Sequence, residues 1–427
     1  MKKIILILLV SIISTIGFSQ SKNVQNSFNS FRQEKFAEAK HFIDLAYNNE
    51  STSNDPKMWN YRAKIYLEIM QKHTDIDANA VFSATEAHIR CLDRDKKGRI
   101  AVRKWTKEES ILNGLVQCGY NLFNTAVEDY NSKDYHISIK KNNEIFKILP
   151  LDKDSVLMKN YGITPSSIYK NMGLAALQLD DVESQVEYLQ KSIDNNTDDP
   201  IVYFYMSRVF YEKQELGKAL DYIQQGKEKV ESLVKSLYKE LDLVNVSDTI
   251  KRENLLSKIN TISLKEINLI NTEIDLFREM GKSSEEIIIK LSDAIDLDNT
   301  NEVLYIIRSE MYTKISDFVN AEIDLLEALE INSESSSANN NLASLYLTKT
   351  EPLINELNKL NYKQKSKIKV LEIQIDDLKR KALPYLMKYT EIKPTDKSAL
   401  NTLAQIYYQL GMEKESTDTR NKLNSLK

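Results

Sequence analysis

The sequence is poor in the residues that cross-link or turn a chain. Its 427 residues include 2 cysteines, 10 glycines and 7 prolines. Cys91 and Cys118 allow one disulfide at most, which excludes a disulfide framework and leaves open whether they pair. So few glycines and prolines leave few tight turns, which argues against a large β-protein. A helical chain with a hydrophobic core of its own is therefore expected.

The chain also has no large excess of positive or negative residues. Lys and Arg number 58 against 62 Asp and Glu, for a formal net charge of −4. A chain this close to neutral lacks the basic surplus of proteins that bind nucleic acid. Nucleic acid is therefore not expected as a partner.

A long apolar run occurs only at the start of the chain. Two lysines precede an apolar run from Ile4 to Gly17, and a polar stretch follows it. This layout predicts a cleavable signal peptide over residues 1–20, a mature chain that begins near Ser21, and export, with the periplasm as the expected location. The run is shorter than the roughly 20 residues of a membrane-spanning helix. An uncleaved anchor is thus the weaker alternative, and no membrane span is expected after signal removal.

A helix-turn-helix pattern recurs along the rest of the chain. In its clearest copy, between residues 303 and 332, Tyr305 and Tyr312 flank the small residue Ser309. Beyond a polar turn, Ala321 lies on the apolar face of a second helix. This spacing resembles the 34-residue tetratricopeptide repeat, or TPR. Small residues allow the helices to approach closely, and one unit alone cannot bury its apolar face. About nine such helix pairs are predicted.

The resemblance implies an all-α fold of TPR type, an α-solenoid in which helix-turn-helix units form a right-handed superhelix with two long helical insertions. The insertions show as surplus residues between register positions, with apolar residues three and four apart. Helix breaks are predicted at 245–248 in the first and near 363–367 in the second. The predicted segments are a signal peptide at 1–20, an N-terminal TPR array at 21–230, a helical insertion at 231–265, and a C-terminal TPR array at 266–427 with an inserted hairpin at about 347–380.

The resemblance extends over the whole mature chain. Segments 36–46 (FAEAKHFIDLA) and 55–66 (DPKMWNYRAKIY) look like the start of exported TPR proteins common in Bacteroidetes. This likeness implies the fold and little about activity, because that family is defined mostly by its repeats. Three residues depart from the pattern: Arg308 and Thr125 stand at usually apolar positions, and Gln185 stands at a usually small one.

The segments that resemble catalytic or metal-binding motifs each lack a residue that the motif requires. Gly281-Lys282-Ser283 ends like a phosphate-binding loop, but Leu276 stands where that loop needs a glycine. Segment 93–98 resembles a calcium loop, yet Lys97 occupies a position that needs an oxygen ligand. His88 and Cys91 lie three residues apart, with no second pair nearby to complete a zinc site. No enzymatic activity, metal or cofactor is therefore predicted.

The predicted binding surface is the concave groove, which the first helix of each unit lines in the family that this chain resembles. Mixtures of Tyr, Arg and Asn suit the recognition of extended peptides. A solvated groove without a ligand is the alternative. Projected by register, the groove residues are Asn60, Lys64, Phe204, Arg208, Tyr211, Ile306, Glu310, Asn340, Ser344, Asn401, Gln405 and Tyr408.

A basic stretch is the second candidate surface. It would suit an anionic partner, such as an acidic peptide or an envelope glycan. The alternative is a solvated helix between repeats. With flanking Arg94 and Lys107, its residues are Lys96, Lys97, Arg99, Arg103, Lys104 and Trp105.

Together these features predict a non-enzymatic scaffold for protein–protein interaction in the cell envelope, which binds partners through its groove and projecting hairpins. The alternative is a ligand- or glycan-binding accessory protein of an outer-membrane uptake or assembly system. That alternative predicts a cluster of aromatic residues on one exposed surface. Self-association through the hairpin at about 350–380 is an equally open role for that segment.

Overall fold

The chain folds as α-helices joined by short turns. The computed structural model describes residues 21–426, so the predicted signal peptide lies outside the described residues. An isolated antiparallel bridge between Arg94 and Ile100 is the one strand-like pairing within residues 21–426. The chain divides into two compact units, the first ending at Thr197 and the second beginning at Asp198. This boundary differs from the predicted one between residues 230 and 231.

The first unit contains four helix pairs and one short additional helix. Its helices begin at local caps: at α3, for example, Asp55 accepts a hydrogen bond from the amide of Lys57, and Pro56 takes the first helical position. The helices are α1 (21–32), α2 (Phe36–Tyr47), α3 (Pro56–Lys72), α4 (Ala80–Cys91), α5 (Glu108–Asn131), α6 (Tyr135–Ile145), α7 (Val156–Tyr161), α8 (Pro165–Gln178) and α9 (Val182–Asp194).

The second unit contains five helix pairs and one short additional helix, α17, and three of its pairs include an elongated helix. A reciprocal capping box between Ser283 and Glu286 starts α13. The helices are α10 (Ile201–Glu212), α11 (Leu216–Leu243), α12 (Thr249–Glu279), α13 (Ser284–Leu297), α14 (Glu302–Lys314), α15 (Phe318–Ile331), α16 (Ser336–Thr348), α17 (Thr350–Leu357), α18 (Lys365–Ile392), α19 (Lys397–Gln409) and α20 (Glu413–Ser425).

The turn inside a helix pair has the same backbone form in both units. In seven pairs one turn residue is left-handed, with φ between 55° and 74°. The amide of the next residue then donates to the carbonyl five positions earlier, at 2.8–3.1 Å. This bond closes a helix C-terminus in the Schellman manner. The left-handed residues are Glu34, Lys133, Asp180, Gln214, Gly281, Ser316 and Gly411. One unit of helix, turn and helix is therefore repeated along the chain.

The residues that were predicted to hold the repeats together are buried. In the pair α14–α15, Ser309, Ala321 and Leu325 are almost fully buried, and Tyr305 is 9% exposed. Small side chains let the two helices approach, and the larger ones fill the space between neighbouring pairs. The predicted all-α fold of TPR-type helix pairs with two long helical insertions is thus confirmed.

One departure from the repeat pattern has a structural explanation. The guanidinium of Arg308 on α14 forms two hydrogen bonds with the carboxylate of Asp324 on α15, Nη2–Oδ1 at 2.7 Å and Nε–Oδ2 at 2.9 Å. Its Nη1 donates to the hydroxyl of Ser292 on α13 at 2.9 Å. The Asp324 side chain is only 3% exposed. Because the arginine meets a buried counter-charge, it fits a position that is usually apolar.

The first insertion is an extension of two repeat helices. Helix α11 runs on to Leu243 and α12 begins at Thr249, so the helix break lies at 244–248, where the sequence predicts it. Leu241, Val244 and Leu255 form a small buried cluster at the end of this hairpin. The segment 231–265 therefore consists of the outer parts of α11 and α12.

The second insertion is a hairpin between α16 and α18. Its turn spans 358–364, slightly earlier than the predicted 363–367. The first arm is broken at Lys349, between α16 and α17. Pro352 explains the break, because its ring would clash with the carbonyl of Thr348 and it has no amide proton to donate. Among the helices within residues 21–426, none combines the length and the apolar character needed to cross a bilayer.

Candidate functional site

The predicted groove residues on α10 form a row with mixed chemistry, in which Arg208 is exposed and Phe204 and Tyr211 are half-buried. The Arg208 guanidinium lies 6.0 Å from the centre of the Phe204 ring, and its Nη2 is 3.7 Å from Glu212 Oε1. Tyr211 lies next to the carboxylates of α12. Desolvation, with the nearby charge of Glu279, raises the pKa of the Tyr211 phenol. This row can offer a cation, an aromatic face and a hydroxyl.

Two predicted residues line a cleft between α14 and α16. Glu310 and Ser344 are exposed on its walls, and the amide of Asn341 donates to Glu310 Oε1 at 3.3 Å. Asn340 is half-buried beside them, whereas Ile306 is buried in the core. The cleft has a volume of about 210 Å³. Its lining consists of Ser309, Glu310, Thr313, Leu325, Asn341, Ser344, Leu345 and Thr348.

The predicted residues on α19 share one exposed face. Asn401, Gln405 and Tyr408 are spaced four and three residues apart and all face solvent. Tyr408 is 64% exposed, and the Arg420 guanidinium of α20 lies 5.7 Å from its ring centre. This face is therefore accessible, as the register projection predicts.

The prediction for the first unit needs a correction. Asn60 is only 2% exposed, so it is not available to a partner, and Lys64 is half-buried. Six consecutive residues of α3, from Met58 to Ala63, are buried. Helix α3 is thus covered on nearly every side, and its register face is not an open surface.

An open cleft of the first unit lies elsewhere, where no residue was predicted. It is formed by α5, α6 and α8 and has a volume of about 240 Å³. Val127, 42% exposed, and Leu174 give it apolar walls, and the carboxamides of Asn131 and Asn171 lie at its rim. The complete lining is Ala126, Val127, Tyr130, Asn131, Ser138, Asn171 and Leu174.

The two clefts occupy the same place in the repeat. The small residues Ser309, Ala343, Ala126 and Gly173 mark equivalent positions of α14, α16, α5 and α8. Counted from those residues, Asn341 and Asn171 are equivalent, as are Glu310 and Val127, and Ser344 and Leu174. Each cleft therefore presents one asparagine at the same point, beside polar walls in the second unit and apolar walls in the first. Each asparagine lies one position after a projected groove position of its helix, so the sequence contains the signal that identifies it.

The basic stretch is a loop, not a helix. Asp95 organises it, since its Oδ1 accepts the amides of Lys97 and Arg99, at 2.8 and 3.1 Å. Its Oδ2 pairs with the guanidinium groups of Arg99 and Arg103, both at 3.0 Å. These hydrogen bonds, chiefly the one from the Arg99 amide, lower the pKa of Asp95. Arg94 pairs in turn with Glu108 at 2.9 Å.

Part of the positive charge of the predicted patch is thus offset within the loop. Arg99 and Arg103 share the charge of Asp95, so they offer less positive potential than their number suggests. Lys96, Lys97 and Lys104 are exposed, and Trp105 is 38% exposed beside them. An anionic partner would meet three lysines and one indole here.

The remaining polar candidates have structural roles. His88 is buried and its Nδ1 lies 2.7 Å from the Ala84 carbonyl, and burial lowers the pKa of its imidazole. Cys91 and Cys118 are free, buried thiols. Gly281 is the left-handed residue of a repeat turn. No group of three or more metal-binding side chains comes together in the part of the chain that the structure describes.

Exposed aromatic rings are scattered. The exposed rings of Trp105, Tyr238, Tyr362 and Tyr408 lie on four different elements. Tyr120 of α5 and Tyr161 of α7 form a pair, with ring centres 4.6 Å apart. The glycan-binding alternative therefore stays a prediction without a structural observation of its own.

Comparison with known proteins adds structures of similar type. No family model matches the sequence, and no curated protein matches it. Among solved structures, an assembly chaperone of RpL4 (Acl4, residues 1–338) is 10% identical over 70% of this chain and 99% of its own, with a TM-score of 0.42. The TPR domain of P58(IPK) is 12% identical over 92% of this chain and 99% of its own, with a TM-score of 0.27. A TPR repeats protein from Bacteroides fragilis is 14% identical over 68% of this chain and 98% of its own, also with a TM-score of 0.27. The helix pairs of the chain itself form a repeat fold of TPR type.

Proposed function

We propose that this chain is a non-enzymatic scaffold that binds extended segments of partner proteins in the clefts between successive first helices. The observation that supports this proposal is the pair of register-equivalent clefts, each with one asparagine at the same point. A side-chain amide offers a donor and an acceptor, which is what an extended peptide backbone needs from its binding surface. The walls then select the side chain that enters.

The two clefts should select different side chains. Val127 and Leu174 suit an aliphatic or aromatic side chain, because burying it removes apolar surface from water. Glu310 and Ser344 suit a lysine, arginine or hydroxyl side chain, which can pair with the carboxylate. A partner segment is therefore expected to carry an apolar residue for the first cleft or a basic residue for the second.

The test is a peptide-display selection on the purified chain that begins at Ser21, followed by affinity measurement on the selected peptides. In the first unit, Asn171→Ala should weaken binding about tenfold and Val127→Asp should abolish the apolar preference. In the second unit, Glu310→Lys should reverse the preference from basic to acidic peptides. Asn143→Ala and Asn421→Ala, at exposed asparagines outside both clefts, are the matched controls. A selection that yields no peptide, or peptides whose affinity the cleft variants leave unchanged, would refute the proposal.

We also propose that the chain is exported and acts in the cell envelope. The support is the sequence of residues 1–20 alone, in which two lysines precede a short apolar run. N-terminal sequencing of the protein from its native host should find a first residue at or near Ser21. Retention of Met1 on the cell-associated protein would show that no signal peptide is removed.

A further inference from the structure

Two neighbouring second helices of the second unit carry the same exposed pattern 34 residues apart, which is one repeat length. Apolar residues recur at equivalent positions, and carboxylates recur between them. Val319, 68% exposed, and Leu326, 43% exposed, extend the apolar part on α15. The equivalent pairs are Ile289 and Ile323, Asp293 and Glu327, Asp296 and Glu330, and Leu297 and Ile331, all exposed. We name these ten residues the acidic face.

The acidic face has almost no positive charge of its own. Helix α15 contains no lysine or arginine. The single lysine of α13, Lys290, pairs with Glu273 of α12 at 3.5 Å and lies 4.0 Å from Asp293. The Tyr305 phenol of α14 lies near carboxylates of both helices: its pKa is raised by burial, then by the charge of Glu327, with a smaller part from Asp296. On both helices the face thus combines negative charge with exposed aliphatic side chains.

The hairpin of α17 and α18 carries the opposite pattern. Residues 359–373, named here the basic arm, contain five lysines and one glutamate. Lys363, Lys365 and Lys369 are exposed, whereas Lys367 pairs with Glu356 at 2.7 Å. Tyr362 is 76% exposed, and Val370 and Ile373 are each more than half exposed. The arm therefore combines positive charge with exposed apolar side chains.

The basic arm does not cover the acidic face of its own chain. The buried side of α18, which carries Leu371, Ile375 and Ala382, packs against α17 and α16. The lysines and the apolar residues Val370 and Ile373 lie on the other side and stay exposed, as do Ile323 and Val319 of the acidic face. Exposed apolar residues on both surfaces, with opposite charge around them, fit one another.

We propose that the basic arm of one copy docks on the acidic face of a second copy of this chain. Charge complementarity favours a second copy as the occupant: each molecule supplies both surfaces in equal number, and the residues named on both are exposed. Apolar contact of Val370 and Ile373 with Ile323 and Val319 gives the stabilisation, and the lysines opposite the carboxylates set the register.

The test is sedimentation velocity of the chain that begins at Ser21, over about 1 to 100 μM protein, at low salt and at about 0.5 M salt, where exposed charges are screened. The arm variant is K363E/K365E/K369E, and the face variant is D296K/E327K/E330K. Each variant alone should associate at least about tenfold more weakly than the unmodified chain, because like charges then oppose one another. Mixing the two variants should restore association, since every contact between them again joins opposite charges.

The control is K235E/K414E/K422E, which reverses three exposed lysines outside both surfaces and should associate like the unmodified chain. Circular dichroism of each variant verifies that the helices remain. A chain that stays monomeric at low salt over the whole concentration range overturns the proposal. So does self-association that both variants leave intact, or a mixture that stays monomeric, which would assign the arm or the face to a different protein. Neither variant touches the clefts, so peptide binding there is tested independently.

Discussion

Arg308 and Asp324 allow a quantitative test of how the repeat tolerates a charge inside it. Replacing Arg308 by Leu leaves the Asp324 carboxylate, 3% exposed, without its partner. Removing one member of a buried ion pair costs about 3–5 kcal/mol. Replacing Asp324 by Leu is expected to cost less, about 1–3 kcal/mol, since the Arg308 side chain is 17% exposed and can turn toward water. The double replacement should return to within about 1 kcal/mol of the unmodified chain, because two apolar residues then meet in the core.

The assay is urea unfolding followed by far-ultraviolet circular dichroism, with the four chains treated as a double-mutant cycle. Repeat arrays can unfold in parts, so hydrogen exchange of α14 and α15 should accompany the unfolding curves. The predicted coupling between the two sites is at least about 2 kcal/mol. A cost below about 1 kcal/mol for Arg308→Leu would place the pair among surface ion pairs and refute the reasoning. A double variant as unstable as Arg308→Leu would refute it as well.

Three further predictions concern the buried polar groups of the first unit. Burial lowers the pKa of His88 from its usual value near 6.5, so the unfolded chain binds a proton there more readily than the folded chain does. The stability that this imidazole contributes should therefore be complete above about pH 6.5 and fall as the pH drops below it. Melting temperatures at pH 7.5, 6.5 and 5.5 should show this fall, and a less steep one in His88→Gln. A Cβ at Gly114 would lie 2.2 Å from Nε2 of that imidazole, so Gly114→Ala should cost about 1–3 kcal/mol in urea unfolding, and an unchanged midpoint would contradict the packing. Burial raises the pKa of Cys91 and of Cys118 to about 12, so both thiols should react with a thiol reagent at least about 100-fold faster in urea than in the folded chain, whereas equal rates would contradict their burial.

The fold could be predicted because packing in the repeat requires small and large residues at fixed spacings along the sequence. Ser309 and Ala321 are buried because a larger side chain at either position would hold two helices apart, and this requirement is visible in the sequence. The helix break predicted at 245–248, which the structure has at 244–248, was visible for a similar reason, since polar residues there interrupt two apolar patterns. Local patterns of this kind need no knowledge of distant contacts.

The candidate site was harder to predict because the exposure of a side chain depends on the helices that pack around it, and the repeat register does not show these. Asn60 stands at a groove position of its own helix, yet α3 is covered on nearly all sides. Arg99 and Arg103 add two charges to the sequence, and only the structure shows that Asp95 neutralises much of them. The boundary after Thr197 did have a signal, the polar run 195–199 before Pro200.

The length of the α17–α18 hairpin is independent of the contacts that form the repeats. Its base packs against α16, where the repeat is completed, while its turn at 358–364 is exposed apart from the half-buried Leu360. Adding one heptad to each of its two helices would lengthen it by about 10 Å and leave every repeat contact unchanged. The chain thus holds an adjustable spacer, and related proteins with the same repeats can differ in how far they extend from the array without a change in how they fold.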